Sequence, residues 1–513
     1  MSPPRFLTVG ALACALATAV PALAAAARPP RLDPDRDGLT NRVEHRLRLH
    51  PRRADTDGDG LRDGYEVRVS RTDARRRDTD RDGASDGLEV RRGTDPRRRP
   101  AVDPVDVLPR VWVDGESRSG KCSDAHTPTQ ARSPATPWCT VDRAIASAPS
   151  GTVAHVRGGT YRLGSLTLNG VRRTARTYIR PELTERSQVV LRGELSIANF
   201  SNLTIREFQF ASGAIVLNVG NRDLALENNV LRVSTYIRPC VDCVFSGNVV
   251  ESVAHVAGRS DDGFGLYVNG AWSPEPARAG VYRLRVTGNT FRALRNDAIQ
   301  ISGEVFDALV SGNTFENVGQ VAGDAAHADC IQAYNVRGIV IEDNRFLSCD
   351  SGVLTKDATT TGQVVRNNLF VGGPGTGYGI TLYNTEALVT NNTMVGRYNG
   401  GASNGVHLGQ QAGYAPTRVT LLNNILTTIA RQQPGLTVVE DHNLVTLTAS
   451  GQGAHDLNRA VPVFGTGYVL APGSPGLNAG TAGSHLAAAD MRGRPRVAGA
   501  RVDIGAVERQ PAD

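Results

Sequence analysis

Three twelve-residue segments carry the same order of ligand atoms: DPDRDGLTNRVE from Asp33, DTDGDGLRDGYE from Asp55 and DTDRDGASDGLE from Asp78. Each has carboxylates at positions 1, 3 and 5, glycine at 6, Asn or Asp at 9 and Glu at 12. A hard cation such as Ca2+ takes about six to eight oxygens, and one short loop converges them only through a sharp turn, which the glycine at 6 permits. The expected ligands are Asp33, Asp35, Asp37, Asn41 and Glu44 in the first loop. Asp55, Asp57, Asp59, Asp63 and Glu66 follow in the second, and Asp78, Asp80, Asp82, Asp86 and Glu89 in the third.

A different chemistry is available further along. Lys121 and Lys356 are the only lysines among 57 basic residues. Arginine stays protonated, whereas a desolvated lysine can release its proton and act as a base. Lys356 lies in one of a family of short strands that align on Phe264, Ile299, Ile331, Val353, Ile380 and Val406. With side chains alternating, these anchors face inward. One step beyond them fall Gly265, Gln300, Gln332, Leu354, Thr381 and His407; three steps beyond fall Tyr267, Ser302, Tyr334, Lys356, Tyr383 and Gly409. Two steps before come Asp262, Asp297 and Asp329. The expected face therefore carries rings that stack on sugars, amides that bind hydroxyls, acids and one amine. The candidate catalytic residues are Lys356, Asp297, Asp329 and, in GDAAHADCIQ, His327 with Asp324. The candidate substrate contacts are Gln300, Gln332, Tyr334, Tyr383, Tyr267 and His407. Carboxylates on adjacent coils lie about 5 Å apart in backbone, close enough to share a cation or to divide acid and base roles.

The elements that must position these residues repeat. One phrase (apolar, x, apolar, two variable residues, Asn, x, apolar) recurs with its asparagine at Asn229, Asn248, Asn289, Asn313, Asn344, Asn368, Asn392 and Asn424. Such self-similarity with short strands and Gly/Asn turns defines a solenoid. The asparagines are expected to bond coil to coil inside a turn, a structural role. The sequons at Asn202 and Asn391 fall within this repeat and are not expected to carry glycans. A long period places a projecting loop at residues 271–279.

Two resemblances follow. The acidic segments resemble thrombospondin type 3 repeats of bacterial secreted proteins, which implies a calcium-rigidified spacer. From about residue 113 to 508 the chain resembles the right-handed parallel β-helix of exported polysaccharide-active proteins. PWCTVDRAIASAPSGTVAHVRGGTY (137–161), with a short helix at 141–148, resembles the N-terminal cap of that group. SPGLNAG (474–480) and DIGAVE (503–508) resemble its closing segment. Lysine-base pectate lyases of this fold are similar in carrying a lysine in the same column of a DGFxxK-like strand. Here DDGFGLY puts Tyr267 at that place, and Lys356 stands several coils later behind Ser351.

Composition narrows the compartment and excludes other classes. Aromatics are 5% and glycines number 55 among 513 residues, a profile for short strands and tight turns rather than one bulky core. The net charge is +6, but residues 28–100 hold 20 Arg against 16 acids, so the folded remainder is nearly neutral and no nucleic-acid partner is expected. No phosphate-cradling loop is present. Arg5, an apolar run over 6–20 and Ala22-Leu23-Ala24 read as a cleaved export signal. No later segment is long and apolar enough to span a membrane. An exported chain oxidises its cysteines, and Cys122, Cys139, Cys240, Cys243, Cys330 and Cys349 form an even set. Six cysteines allow about 15 connectivities: the cap resemblance implies Cys122–Cys139, the CxxC at Cys240–Cys243 reads as a local bridge rather than a redox or zinc pair, and the 19-residue spacing of Cys330 and Cys349 suits a link between neighbouring coils.

The expected organisation is a signal at 1–27, calcium repeats at 28–100, a linker at 101–112, cap and first coils at 113–190, β-helix coils at 191–430 and C-terminal coils with cap at 431–513. The expected protein is all-β, extracellular or surface-associated, and acts on an acidic polysaccharide as a lyase or uronate epimerase. The arginines between its acidic loops, Arg75–Arg77 and Arg97–Arg99, are expected to help hold this segment to anionic wall polymers or acidic polysaccharide. The alternative is a non-catalytic adhesin or carbohydrate-binding structural protein.

Overall fold

The computed structural model describes residues 33–511 and 513, apart from 36, 81–84, 93–94, 98–103, 117–120, 165–166, 183–188, 256–261, 272–279, 320–327, 357–358, 373–377, 397–404, 433–434 and 448. The expected signal at 1–27, the projecting loop (all but Ala271), Asp82, Asp324 and His327 lie outside these residues. The chain divides into a small N-terminal unit holding the acidic repeats and a large unit holding the strands.

In the small unit each acidic loop leads into a short helix: Asn41–Leu47, Asp63–Tyr65 and Asp86–Arg92. Position 9 of every loop is thus the first helical residue. Gly64 and Gly87, at position 10 of the second and third loops, abut the preceding loop. A methyl group on Gly64 would overlap the carbonyl of Asp37, and one on Gly87 that of Asp59. The first loop, with no described loop before it, has Arg42 there.

The large unit is a right-handed parallel β-helix. A typical coil runs through Ile299–Phe306, Leu309–Ser311 and Thr314–Val318. Each strand pairs in parallel with its counterpart one coil on, as Ile299 with Ile331, Leu309 with Val340 and Thr314 with Arg345. Stacking places like on like. Phe291, Phe315, Phe346 and Phe370 form one file of fully buried rings with centroids 5.3, 4.9 and 4.3 Å apart.

The expected asparagine ladder is present and longer than expected. The Oδ1 of Asn344 accepts the backbone N–H of Asn313 at 2.9 Å and its Nδ2 at 3.0 Å, while Asn344 Nδ2 donates to Val310 O at 2.9 Å. The same pattern runs from Asn229 to Asn424 and continues to Asn443, whose amides meet Asp456 Oδ1 at 2.7 and 3.2 Å. Neither was legible in the sequence: Asn443 has Glu440 where the phrase has its second apolar residue, and Asp456 belongs to no such phrase. Asn391 and Asn392 are buried, which closes that sequon to a glycan.

The first rung is Arg110–Val113, paired with Val153–Val156, so the solenoid begins three residues before the expected boundary at 113. The cap helix is Val141–Ser147, with Thr140 Oγ1 accepting the Arg143 N–H at 3.1 Å. The Cys122–Cys139, Cys240–Cys243 and Cys330–Cys349 bridges are all formed. The closing segment folds back along the ladder's corner. Asn423 Nδ2 donates to Thr481 O at 2.8 Å, Asn367 Nδ2 to Ala489 O at 2.9 Å, and buried Arg496 donates to Asn367 Oδ1 at 2.6 Å.

Candidate functional site

The candidate face of the solenoid is built by the strands that open each coil. The expected column of amides is real, with one correction of register. Leu266, not Phe264, pairs with Ile299, so Tyr267 stands beside Gln300. The column then runs Tyr267, Gln300, Gln332, Leu354, Thr381 and His407. The error arose because both Phe264 and Leu266 are apolar and a shift of two preserves the face. Tyr334 lies beside Ser302, and Gln300 Nε2 donates to Tyr334 Oη at 3.0 Å. Lys356 follows Thr355, whose partner is Leu382, and so stands level with Tyr383.

Two aromatic groups flank this stretch. Toward the N-terminus Tyr236 meets Tyr267 edge-on at 6.0 Å, and Phe264 stacks on Tyr267 at 5.1 Å. Toward the C-terminus His407 lies 4.4 Å from the Tyr378 ring and 5.6 Å from that of Tyr383. Tyr383 Oη donates to Gln432 Oε1 at 2.8 Å. Burial lowers the proton affinity of His407 and raises the Tyr334 and Tyr383 phenols. Tyr236 had not been expected here; its strand lies one coil before the aligned set.

The acids are not on the open face. Asp297 and Asp329 are each only 2% exposed. A residue two places before an inward anchor shares its side of the strand, so alternation itself turns these carboxyls in. Asp297 Oδ1 accepts the Asp329 N–H at 2.9 Å, and Asp297 N–H is held by Asn296 Oδ1 at 2.8 Å. Burial, and then the neighbouring Asp329 charge, push the Asp297 carboxyl well above the usual carboxylate range, while Lys356 pulls it back. Asp262 Oδ1 sits 2.7 Å from His255 Nδ1, and its carbonyl accepts from Asn296 Nδ2 at 2.6 Å.

The acidic loops form a second site, and here too the grouping differs from expectation. Asp33, Asp35 and Asp37 bring ligand oxygens together, as do Asp55, Asp57 and Asp59. Asp63, however, converges with Asp37 and Glu44 of the preceding loop, and Asp86 with Asp59 and Glu66. Position 9 thus completes the site before its own. The cause is local. Asp63 is oriented by Thr56, whose N–H and Oγ1 donate to it at 2.7 and 2.5 Å, and Asp86 is held by Thr79 at 2.8 and 2.5 Å. The glycine at position 10 then donates its N–H to the earlier loop, Gly64 to Asp37 at 3.1 Å and Gly87 to Asp59 at 2.6 Å.

These residues fit a hard cation. Glu44 and Glu66 are fully buried, and both Glu44 oxygens, one of Glu66, both of Asp35 and the Asn41 Oδ1 have no hydrogen-bond partner. Burial and mutual repulsion push Glu44 to about 7 and Glu66 to about 9. Buried carboxylates of one sign are stable when paired or bound to metal, and an all-oxygen donor set selects calcium or magnesium over softer metals.

Comparison with known proteins agrees with this architecture. Residues 202–426 match the family model of the right handed beta helix region, and residues 55–69 and 78–96 match that of the bacterial TSP3 repeat. The chain carries a right-handed β-helix preceded by bacterial TSP3 repeats. Among solved structures, the pectate lyase Pel9A is 14% identical at a TM-score of 0.42, over 78% of this chain and 96% of its own. An alginate lyase from Paenibacillus sp. str. FPU-7 is 15% identical at 0.36, over 59% and 95%. The periplasmic alginate epimerase AlgG is 11% identical at 0.33, over 56% and 75%. Search of curated proteins finds no match.

Proposed function

We propose that this is an extracellular, calcium-ordered β-helix that binds an acidic polysaccharide along its groove face and modifies it by β-elimination or epimerisation. The observation that carries the reading is Lys356. It is half-buried, stands level with Tyr383 in a row of rings and amides, and acts on the buried carboxyl of Asp297. Rings at both ends of the row supply stacking platforms, and Gln300 and Gln332 supply hydroxyl contacts between them.

In this reading Lys356 Nζ takes the proton alpha to the uronate carboxylate. In elimination the bond to the departing glycosidic oxygen breaks and an unsaturated sugar remains; in epimerisation a proton returns on the opposite face. A base must give up its own proton first. Three oxidised disulfides accord with an extracellular site. Among the described residues no helix is long and apolar enough to cross a membrane.

The test is incubation with a panel of uronate polymers, following the ultraviolet absorbance of unsaturated product and solvent-deuterium incorporation. Lys356→Arg should lower the rate by about 10²–10⁴ while sugar binding persists, because arginine keeps the charge and cannot serve as a base. Binding without either product in the wild type would identify a carbohydrate-binding module instead.

A further inference from the structure

The end of the asparagine ladder brings together three metal-ligand side chains that neither the groove nor the acidic loops use. Asp441 closes the strand Thr437–Asp441. His442 follows in the left-handed conformation, at φ 54°. Other coils fill that corner with Asn228, Asp343, Asn367, Asn391 or Asn423, residues with short polar side chains suited to it. His455 arrives from the next turn, immediately before the ladder's last acceptor, Asp456.

The three converge on one atom. Asp441 Oδ2 lies 3.2 Å from His442 Nδ1 and 2.9 Å from His455 Nδ1. The two imidazoles stack at 4.6 Å, inclined by 27°. The other carboxylate oxygen, Oδ1, accepts the backbone N–H groups of His442 at 3.1 Å and His455 at 2.8 Å. The main chain therefore fixes the carboxylate; His455 Nδ1 lies 3.1 Å from Oδ1 as well, while Oδ2 is the oxygen that faces both rings. An ordinary Asp–His hydrogen bond accounts for His455 alone. His442 Nδ1 is buried and makes no hydrogen bond.

We infer that Asp441, His442 and His455 bind a divalent transition metal of the zinc class. In a tetrahedral site with metal–ligand bonds of about 2.0–2.2 Å, neighbouring donors stand about 3.3–3.6 Å apart, so the 2.9 and 3.2 Å found here need to open by only a few tenths of an ångström. Two imidazoles and one carboxylate form a borderline donor set, unlike the all-oxygen loops of the small unit. His455 is 65% exposed, so the fourth position opens to water or an external ligand. The metal would tie the last long strand to the loop that closes its coil.

The experiment uses the full chain, stripped with chelator and returned to millimolar calcium so that the acidic loops are filled. Titration with zinc chloride should give one site per chain at micromolar affinity, and cobalt(II) should give the intense visible bands of a tetrahedral complex. His455→Gln, at an exposed position, should weaken zinc binding tenfold or more, since losing even an outer-shell partner costs about 10–100-fold. Asp441→Asn should do the same. Zinc binding of equal strength in wild type and His455→Gln, or a cobalt spectrum of the octahedral aquo ion, would overturn the inference.

Discussion

His155 is 7% exposed, and neither of its ring nitrogens is hydrogen-bonded. It leans on Trp112 at 5.3 Å, and burial, with Arg180 and Arg110 nearby, pushes its proton affinity down to about 4. The unfolded chain takes up this proton near the ordinary value of about 6.5. Below that pH the unfolded state binds more protons than the folded state, so stability falls as pH drops toward about 4 and is fully present above about 6.5. Between about pH 7.5 and pH 5 the loss from this group is about 2 kcal/mol. Urea midpoints across that range should show it, and His155→Phe should flatten that part of the profile. At the same scale, Lys356 owes its assignment to what arginine cannot do, and the Lys356→Arg rate measurement tests that directly.

Among the elements, the ladder and the phenylalanine file do different work. Replacing Asn344 by Ala removes the acceptor of two Asn313 amides and the donor to Val310. Orphaned buried polar groups cost about 1–3 kcal/mol each, so Asn344→Ala should lower stability by about 3 kcal/mol or more. Phe346→Ala should cost about 3–5 kcal/mol by leaving a cavity between stacked rings. Denaturant unfolding distinguishes them: Asn344→Asp should recover little, because a carboxylate cannot donate to Val310. In the acidic repeats the decisive element is the loop-to-helix junction. Gly64→Ala drives a methyl group into the carbonyl of Asp37, which should separate the first two loops and weaken the site shared by Asp37, Glu44 and Asp63. Calorimetry should show that change while the site grouping Asp59, Glu66 and Asp86 keeps most of its affinity.

Over the whole molecule, calcium is expected to act on the small unit and the disulfides on the large one. The acidic loops are expected to bind calcium at about 0.1–1 mM, the range of extracellular modules. Calcium removal should therefore loosen residues 33–90 and leave the β-helix melting transition nearly unchanged. Reduction should act on the large unit instead, where all three bridges lie. A bridge closing a loop of about 15 residues contributes about 3 kcal/mol, so loss of Cys330–Cys349 should be visible in the thermal midpoint of that unit alone.

What the chain determines by itself is whatever repeats. The ligand order of the acidic loops and the asparagine phrase depend on local spacing, and spacing is written in one dimension. The solenoid was legible because each coil repeats the same local problem of burying one face of three short strands. What needed the fold was every relation across coils whose spacing is irregular. Phe264 and Leu266 are equivalent by pattern, and only coil-to-coil pairing shows which of them meets Ile299. Asp297 and Asp329 read as groove acids although strand alternation already turns them inward, and their burial in the fold shows it. Asp63 belongs to the preceding loop because Gly64 lets two backbones touch, a contact spanning 27 residues. His442 and His455 are thirteen positions apart in a stretch with no motif, and they meet because the ladder ends there and the chain must turn around its last rung.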